Sequence, residues 1–343
     1  MESIKRLQNL YLAYGVYFES KSKLIKLINY TILLNFVVYV TRVSMSVYRS
    51  FKWMLIDSMF RLVVYGHFYY EQLINRQSKR IFLDKLGKLA SYDLNNRQSL
   101  KRARNYKVFL IGYTFLAAVS EIISNYDYDY IVKLRPFSLE NVSYTWKVTY
   151  FVWDGIFGYL APQCVVLMVF EYLLVLRTLT SIKLTLIQNQ TLPNAVTHLR
   201  WRQVCSLTDD FDDIYSLTPF FKVTQDFIGA LIYIVYLCVN QKVMRIDTQV
   251  GLIYFATQLI IDLYVICVID KSNASLKKAV NELKEKSAIY VSGHFEKWTD
   301  EVSQSYRFNL TGYGLFNLEK SLVIGFGASL ISFTVLFIQI SSM

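Results

Sequence analysis

Charge is scarce in this chain. Only 18% of its 343 residues are Asp, Glu, Lys or Arg, while 54% are hydrophobic. A soluble domain usually carries roughly 25% charged residues, so the chain is short of groups that form a water-facing surface. Glycine, with 13 residues, and proline, with 4, are also few, and the mean hydropathy is +0.29. This balance excludes a disordered or low-complexity chain and favours long helices in a membrane. Cys164, Cys205, Cys238 and Cys267 stand singly, mostly inside apolar runs, which fits neither a disulfide framework nor a zinc site. They read as small buried hydrophobes. His67, His198 and His294 lie far apart, without Cys or Asp at ligand spacing. No metal site and no cofactor is expected. The stretch Met1 to Lys23 is polar and basic, so no cleavable leader is expected in it.

Apolar runs are plentiful instead. A spanning helix needs ~20 mostly apolar residues. Seven stretches qualify: 24–43, 51–70, 107–125, 148–176, 219–240, 249–269 and 318–341. The second is the weakest, being interrupted by Lys52, Asp57, Arg61 and His67. The fourth runs on past Arg177 and Lys183, as a helix that projects beyond the bilayer would. The formal net charge of +11 follows the rule that Lys and Arg collect on the cytoplasmic side. No basic stretch coincides with a nucleic-acid-binding motif, so no such partner is expected. Alternate connections hold most of the cations, among them Arg76, Lys79, Lys101, Arg102, Lys183, Lys271 and Lys284. The N-terminus is therefore expected inside and, after seven spans, the C-terminus outside.

The expected fold is an all-α integral membrane protein with seven transmembrane helices. Its parts are a cytosolic N-terminus at 1–23, helices one to six at 24–270, a cytosolic segment at 271–317 and a last helix at 318–343. Segment 271–313 has Leu276, Val280, Leu283 and Ala288 at helical spacing with charge between them, which extends the membrane helices into a cytosolic bundle or forms a solvated helix. Asn141 opens an Asn-Val-Ser triplet in an outside loop, a glycosylation acceptor. The orientation, with no Asp-Arg-Tyr after the third span and no Asn-Pro-x-x-Tyr in the last, excludes a G-protein-coupled receptor. A secondary transporter, which would show two related halves with matching helix breaks, is the alternative from a different class, and seven spans with scattered prolines give it little support. No nucleophile–base pair stands out, so no enzyme activity is expected. The acidic group Asp209, Asp210, Asp212 and Asp213 lacks the glycine-bearing calcium-loop pattern. It reads as a solvated face or as a partner for basic cytosolic segments.

The last span, Ser321 to Ile340, is apolar and uncharged but keeps Ser332 and Gln339. An unpaired amide in hydrocarbon is costly, so it faces a neighbouring helix or water. On a 3.6-residue period Ser332, Leu336, Gln339 and Ile340 share one face. Around an axis of several copies, the bulky residues would form a constriction and the amides a hydrated ring. A hydrogen bond from Gln339 to an adjacent helix accounts for the same pattern.

Ser332-Phe333, five mostly apolar residues, then Gln339-Ile340, preceded by Gly314-Leu315-Phe316, resembles the signature closing the last span of insect gustatory receptors. There it reads Thr-Tyr, five residues, Gln-Phe, so this chain has lost the tyrosine hydroxyl. The resemblance implies a tetrameric ligand-gated cation channel in the plasma membrane of a sensory neuron, opened by a small tastant. Each subunit would contribute its last helix to a central pore, with Gln339 at the pore and Leu336 and Ile340 at the apolar gate. It also implies an outer-half ligand cavity, among helices rich in Tyr150, Trp153, Asp154, Tyr159, Tyr233, Tyr236, Tyr254 and Gln258. Aromatic walls with a few polar groups suit small organic ligands, although Tyr and Trp also gather at membrane interfaces. Asp154 and Glu121 are the carboxylates there. The related odorant receptors, which pair with a co-receptor, share the implied fold.

Overall fold

The computed structural model describes residues 76–90, 96–125, 144–188, 195–240, 246–289, 293–312 and 315–341, with isolated positions Lys23, Leu27, Val63, Gly66 and His67. The expected spans 24–43 and 51–70 lie outside the described residues, apart from those positions, as does Asn141. In chain order the described elements are α1 (Arg76–Ala90), α2 (Asn96–Asn125), α3 (Tyr144–Gln188), α4 (Ala195–Tyr215), α5 (Leu217–Asn240), α6 (Ile246–Ile289) and α7 (Gly293–Ser305). A short antiparallel pair follows, β1 (Thr311–Gly312) and β2 (Phe316–Asn317), and then α8 (Lys320–Ser341).

Two helices set the scale. α3 has 45 residues and α6 has 44. At 1.5 Å per residue each is about 66 Å long, roughly twice a hydrocarbon core of ~30 Å. Across the expected division at 270/271, α6 continues from its apolar half into Lys271–Ile289 as one helix. Of the residues spaced for burial there, Leu276, Val280 and Leu283 are buried. Ala288 is exposed, a correction explained by its place in the last turn, beyond the packed helices.

α3 is the central column. Every residue from Val165 to Leu176 is buried, so this half is enclosed on all sides, as a helix apolar all round must be. It packs against α1, α2, α4, α5 and α6. Val165–Gln188 is the one stretch among the described residues that is a helix both long and apolar enough to cross a membrane, and most of it is buried by the rest of the chain. The apolarity of this run thus reports interior packing, and it reaches twelve residues further than the expected fourth span. The surrounding helices each present one stripe. α4 buries Thr197, Trp201, Val204, Leu207, Phe211 and Tyr215, three or four residues apart, and α7 buries Phe295, Trp298, Thr299 and Val302. Trp201 meets Trp298 edge to face at 5.7 Å, an arrangement the ring quadrupoles favour.

Candidate functional site

Among the described residues, α8 is held chiefly by α5, with lesser contact to α6. Phe326 packs edge to face on Phe227 of α5 at 4.8 Å. Opposite this contact, Ile324, Gly325, Ala328, Ile331, Ser332, Val335, Leu336 and Gln339 are all exposed. At 100° per residue they form one continuous arc close to half the circumference. Ser332, Leu336 and Gln339, placed on one face by the sequence, lie on this arc. The side chain of Ile340 is outside the described residues. The Ser332 hydroxyl donates to the Ala328 carbonyl at 2.9 Å, a back-bond within the helix that makes its face less polar than the sequence implies.

The root of α8 is fixed by side chains from three other helices. Residues 306–319 connect α7 to α8 through the β1–β2 pair, in which Thr311 faces Asn317. Asn273 of α6 grips the backbone of Phe308 twice: its amide donates to the Phe308 carbonyl at 3.2 Å and its oxygen accepts from the Phe308 N–H at 2.9 Å. Asp212 of α4 accepts from the Thr311 N–H and hydroxyl at 3.3 and 3.4 Å. Burial pushes the Asp212 carboxyl up, and these two bonds oppose that shift. Lys183 of α3 donates to the carbonyls of Ser305 and Tyr306 at 3.4 and 3.3 Å, capping the C-terminus of α7 where a helix dipole favours a cation. Its ammonium also sits 4.4 Å from the centre of the Phe308 ring. Burial brings Lys183 down to about 8. The Leu318 N–H closes the connector on the Leu310 carbonyl at 3.1 Å.

None of these three had been singled out as a site. Asp212 belongs to the acidic group that reads as a solvated face or as a partner for basic segments, Lys183 reads as a topology charge, and Asn273 carries no expectation. One signal was available: Asn273 lies on the stripe Ile269, Leu276, Val280, and an amide on an apolar stripe needs a partner. Asp210 does pair with a basic cytosolic segment, through Lys85 at 3.3 Å. A second clamp ties α4 to α7, where Glu301 accepts from Arg202 at 2.9 Å and meets His198 at 2.7 Å. Burial would raise Glu301, but its bonds with His198 and Arg202 prevail and hold it low.

The buried charges were also missed. Lys222 of α5 bonds Asp226 one turn on and reaches Asp262 of α6 at 3.2 Å. Lys79 of α1 pairs with Glu171 of α3 at 3.1 Å, and the Tyr215 hydroxyl donates to the same carboxylate. Charges within apolar helices are the sequence signal for such pairs.

The predicted ligand residues divide. Tyr150, Trp153, Asp154 and Tyr159 fall on the N-terminal half of α3, Tyr233 and Tyr236 on α5, and Tyr254 on α6, but their side chains lie outside the described residues. Gln258 is buried on α6, and its Oε1 has no hydrogen-bond partner among the described residues. An open groove of about 530 Å³ lies elsewhere, between α5 and α8 beside Val223, Phe227, Leu322 and Gly325, and includes none of these predicted residues. Cys267 is exposed and Cys205 half-buried, so not all the cysteines are core residues as expected.

No family model matches the chain, and no curated protein does. Solved structures do. The insect olfactory receptor OR5 from Machilis hrabei superposes with a TM-score of 0.69 at 10% identity, covering 99% of this chain and 98% of that one. The same receptor in complex with eugenol gives 0.72 at 11% identity over the same shares. The chain therefore has the fold of the insect olfactory receptors, relatives of the gustatory family that its last helix resembles.

Proposed function

We propose that the chain is a gustatory-type chemosensory receptor acting as a ligand-gated, non-selective cation channel, assembled as a homotetramer and opened by a small tastant. It crosses the plasma membrane seven times, with the N-terminus cytosolic. The observation that carries this reading is the open arc of α8, on which Ser332, Leu336 and Gln339 are all exposed. Four such arcs around an axis would place amides beside an apolar constriction, the composition of a gate that opens by wetting. Gln258, buried on α6 with an Oε1 that has no hydrogen-bond partner among the described residues, supports a ligand cavity among the aromatic outer halves of α3, α5 and α6.

Gating then follows from differential binding. Shifting a closed:open ratio from 99:1 to 1:99 takes about 5.5 kcal/mol. Shared over four sites this is about 1.4 kcal/mol each, within the range of one improved hydrogen bond. Weak ligands are adequate agonists. The connector transmits the change, because Lys183, Asn273 and Asp212 tie the root of α8 to α3, α6 and α4.

The test is recording from cells expressing the chain alone. Gln339→Ala should change conductance and ion selectivity, and cysteines at 336 and 339 should react with aqueous thiol reagents when the channel is active. An unaltered current–voltage relation in Gln339→Ala would remove the pore assignment. A second reading, an olfactory subunit that needs a co-receptor, is favoured by the fold match to an olfactory receptor. It predicts no current from the chain alone and current on co-expression.

A further inference from the structure

α2, α3 and α6 pack against one another, and their surfaces change character at one level. On α2 the exposed residues are Phe115, Ile111 and Val108, giving way to Lys107, Arg104 and Lys101. On α6 they are Ile253, Ile260, Leu263 and Cys267, giving way to Lys271. Such a switch from exposed hydrocarbon to exposed cations on neighbouring helices marks the cytoplasmic edge of a bilayer.

Two guanidiniums meet at this level. Arg177, one residue beyond the buried run of α3, donates to the Tyr264 hydroxyl of α6 at 2.9 Å and lies 5.7 Å from the centre of that ring. The Tyr264 and Tyr106 hydroxyls are 3.2 Å apart, and Tyr106 is itself stacked on Phe170 at 4.7 Å. Arg102, one turn before Tyr106, is half-buried and feels the charge of Arg177. The charged or titratable groups acting on Arg102 are Arg177 and the two tyrosines. No carboxylate pairs with either guanidinium among the described residues. Two arginines joined to one tyrosine pair, one by a hydrogen bond and one a helical turn away, in a partly desolvated corner call for an anion. A phosphate matches the planar fork of arginine.

We propose that Arg102 and Arg177 bind the phosphate of an anionic glycerophospholipid of the cytoplasmic leaflet. Tyr264 is a further hydrogen-bonding group at the site, and the acyl chains lie against Val108, Ile111, Ile260 and Leu263. The continuity of the cationic corner with exposed hydrocarbon selects a lipid over a free anion, which would have no use for the apolar track. The inference rests on the membrane orientation proposed above and not on channel activity.

The full-length receptor in nanodiscs of phosphatidylcholine, with or without phosphatidylserine, tests it by native mass spectrometry of the retained lipid. Phosphatidylserine should be retained over phosphatidylcholine. Arg102→Gln should weaken that retention about fivefold, the usual effect of one cation near a membrane surface, and the double variant with Arg177→Gln further. Arg102→Lys should restore most of it. Lys284→Gln, an exposed lysine on the distal part of α6, should leave it unchanged. Equal retention of both lipids, an unaffected Arg102→Gln, or an equal loss in Lys284→Gln would each overturn the assignment. So would displacement of the lipid by inorganic phosphate as readily as by phosphatidylserine. Because the readout needs no agonist and no current, a conducting receptor without lipid preference loses only this site. A silent receptor that holds the lipid loses only the channel reading.

Discussion

The inner half of α3 and the whole of α8 are both apolar helices, yet the protein treats them in opposite ways. Leu173 is 0% exposed, whereas Ile324 and Ile331 are 73% and 68% exposed. Hydrophobicity alone does not distinguish them. Five neighbouring helices enclose α3, so its apolar atoms are removed from solvent by the chain itself. Among the described residues α8 touches chiefly α5, with lesser contact to α6, and the apolar residues of its open arc must find lipid or another copy of the chain. The two ion pairs repeat the contrast: Lys79–Glu171 is buried beside α3, while Arg307–Glu319 at the root of α8 is exposed and contributes about 0–1 kcal/mol.

Substitutions should separate the two regions. The largest loss is expected from Glu171→Ala, which removes the carboxylate opposite buried Lys79. Breaking such a pair costs about 3–5 kcal/mol, read as lost thermal stability of the purified protein. Leu173→Ala should follow at about 2–5 kcal/mol, with the cavity left in α3 adding to the lost transfer energy. At the junction between the regions, Asn273→Ala strips both bonds from the Phe308 backbone. A loss of about 1–3 kcal/mol is expected, with a shift in the agonist concentration for half-activation and an unchanged reversal potential. An altered reversal potential would mean that the connector shapes the pore as well as positioning it.

A pH scan sharpens the same junction. Lys183 titrates lower in the folded protein, at about 8, than the ordinary lysine value of 10.5. Between these values the unfolded chain binds more protons, so stability due to this group should rise with pH across that window. Lys183→Met should abolish the rise, as measured by melting temperature against pH. The smallest effect is expected from Ile331→Ser on the open arc of α8. The stability of a single subunit should stay within about 0.5 kcal/mol, while the assembled fraction by size analysis should fall if the arc packs against its copies. Unchanged assembly would assign the arc to lipid.

The legibility of this molecule followed the same division. Helix identity was readable wherever period and composition agreed: the segments expected at 107–125, 219–240 and 249–269 lie within α2, α5 and α6, and 318–341 lies within α8 except for its first two residues. The face of α8 was readable too, because a serine and a glutamine on an apolar helix mark one side. The extent of the core was not. Lys79 and Lys183, counted as cytosolic surface charges, are buried. Their burial depends on Glu171, more than ninety residues from Lys79, and on carbonyls more than a hundred residues from Lys183. Asn273 and Asp212 hide for the same reason, since each bonds a backbone atom whose position no side-chain pattern reports.

The order of residues determined the local properties: which segments are helical, which face of each is apolar and where along α2 and α6 hydrocarbon yields to cations. Those follow from steric preference and periodicity, which act over a few residues. Tertiary structure alone decided which apolar face is enclosed and which stays open, which charges are paired and what holds the root of α8. These outcomes depend on contacts between groups far apart in the chain, and the energy of such a contact exists only once both partners have been brought together.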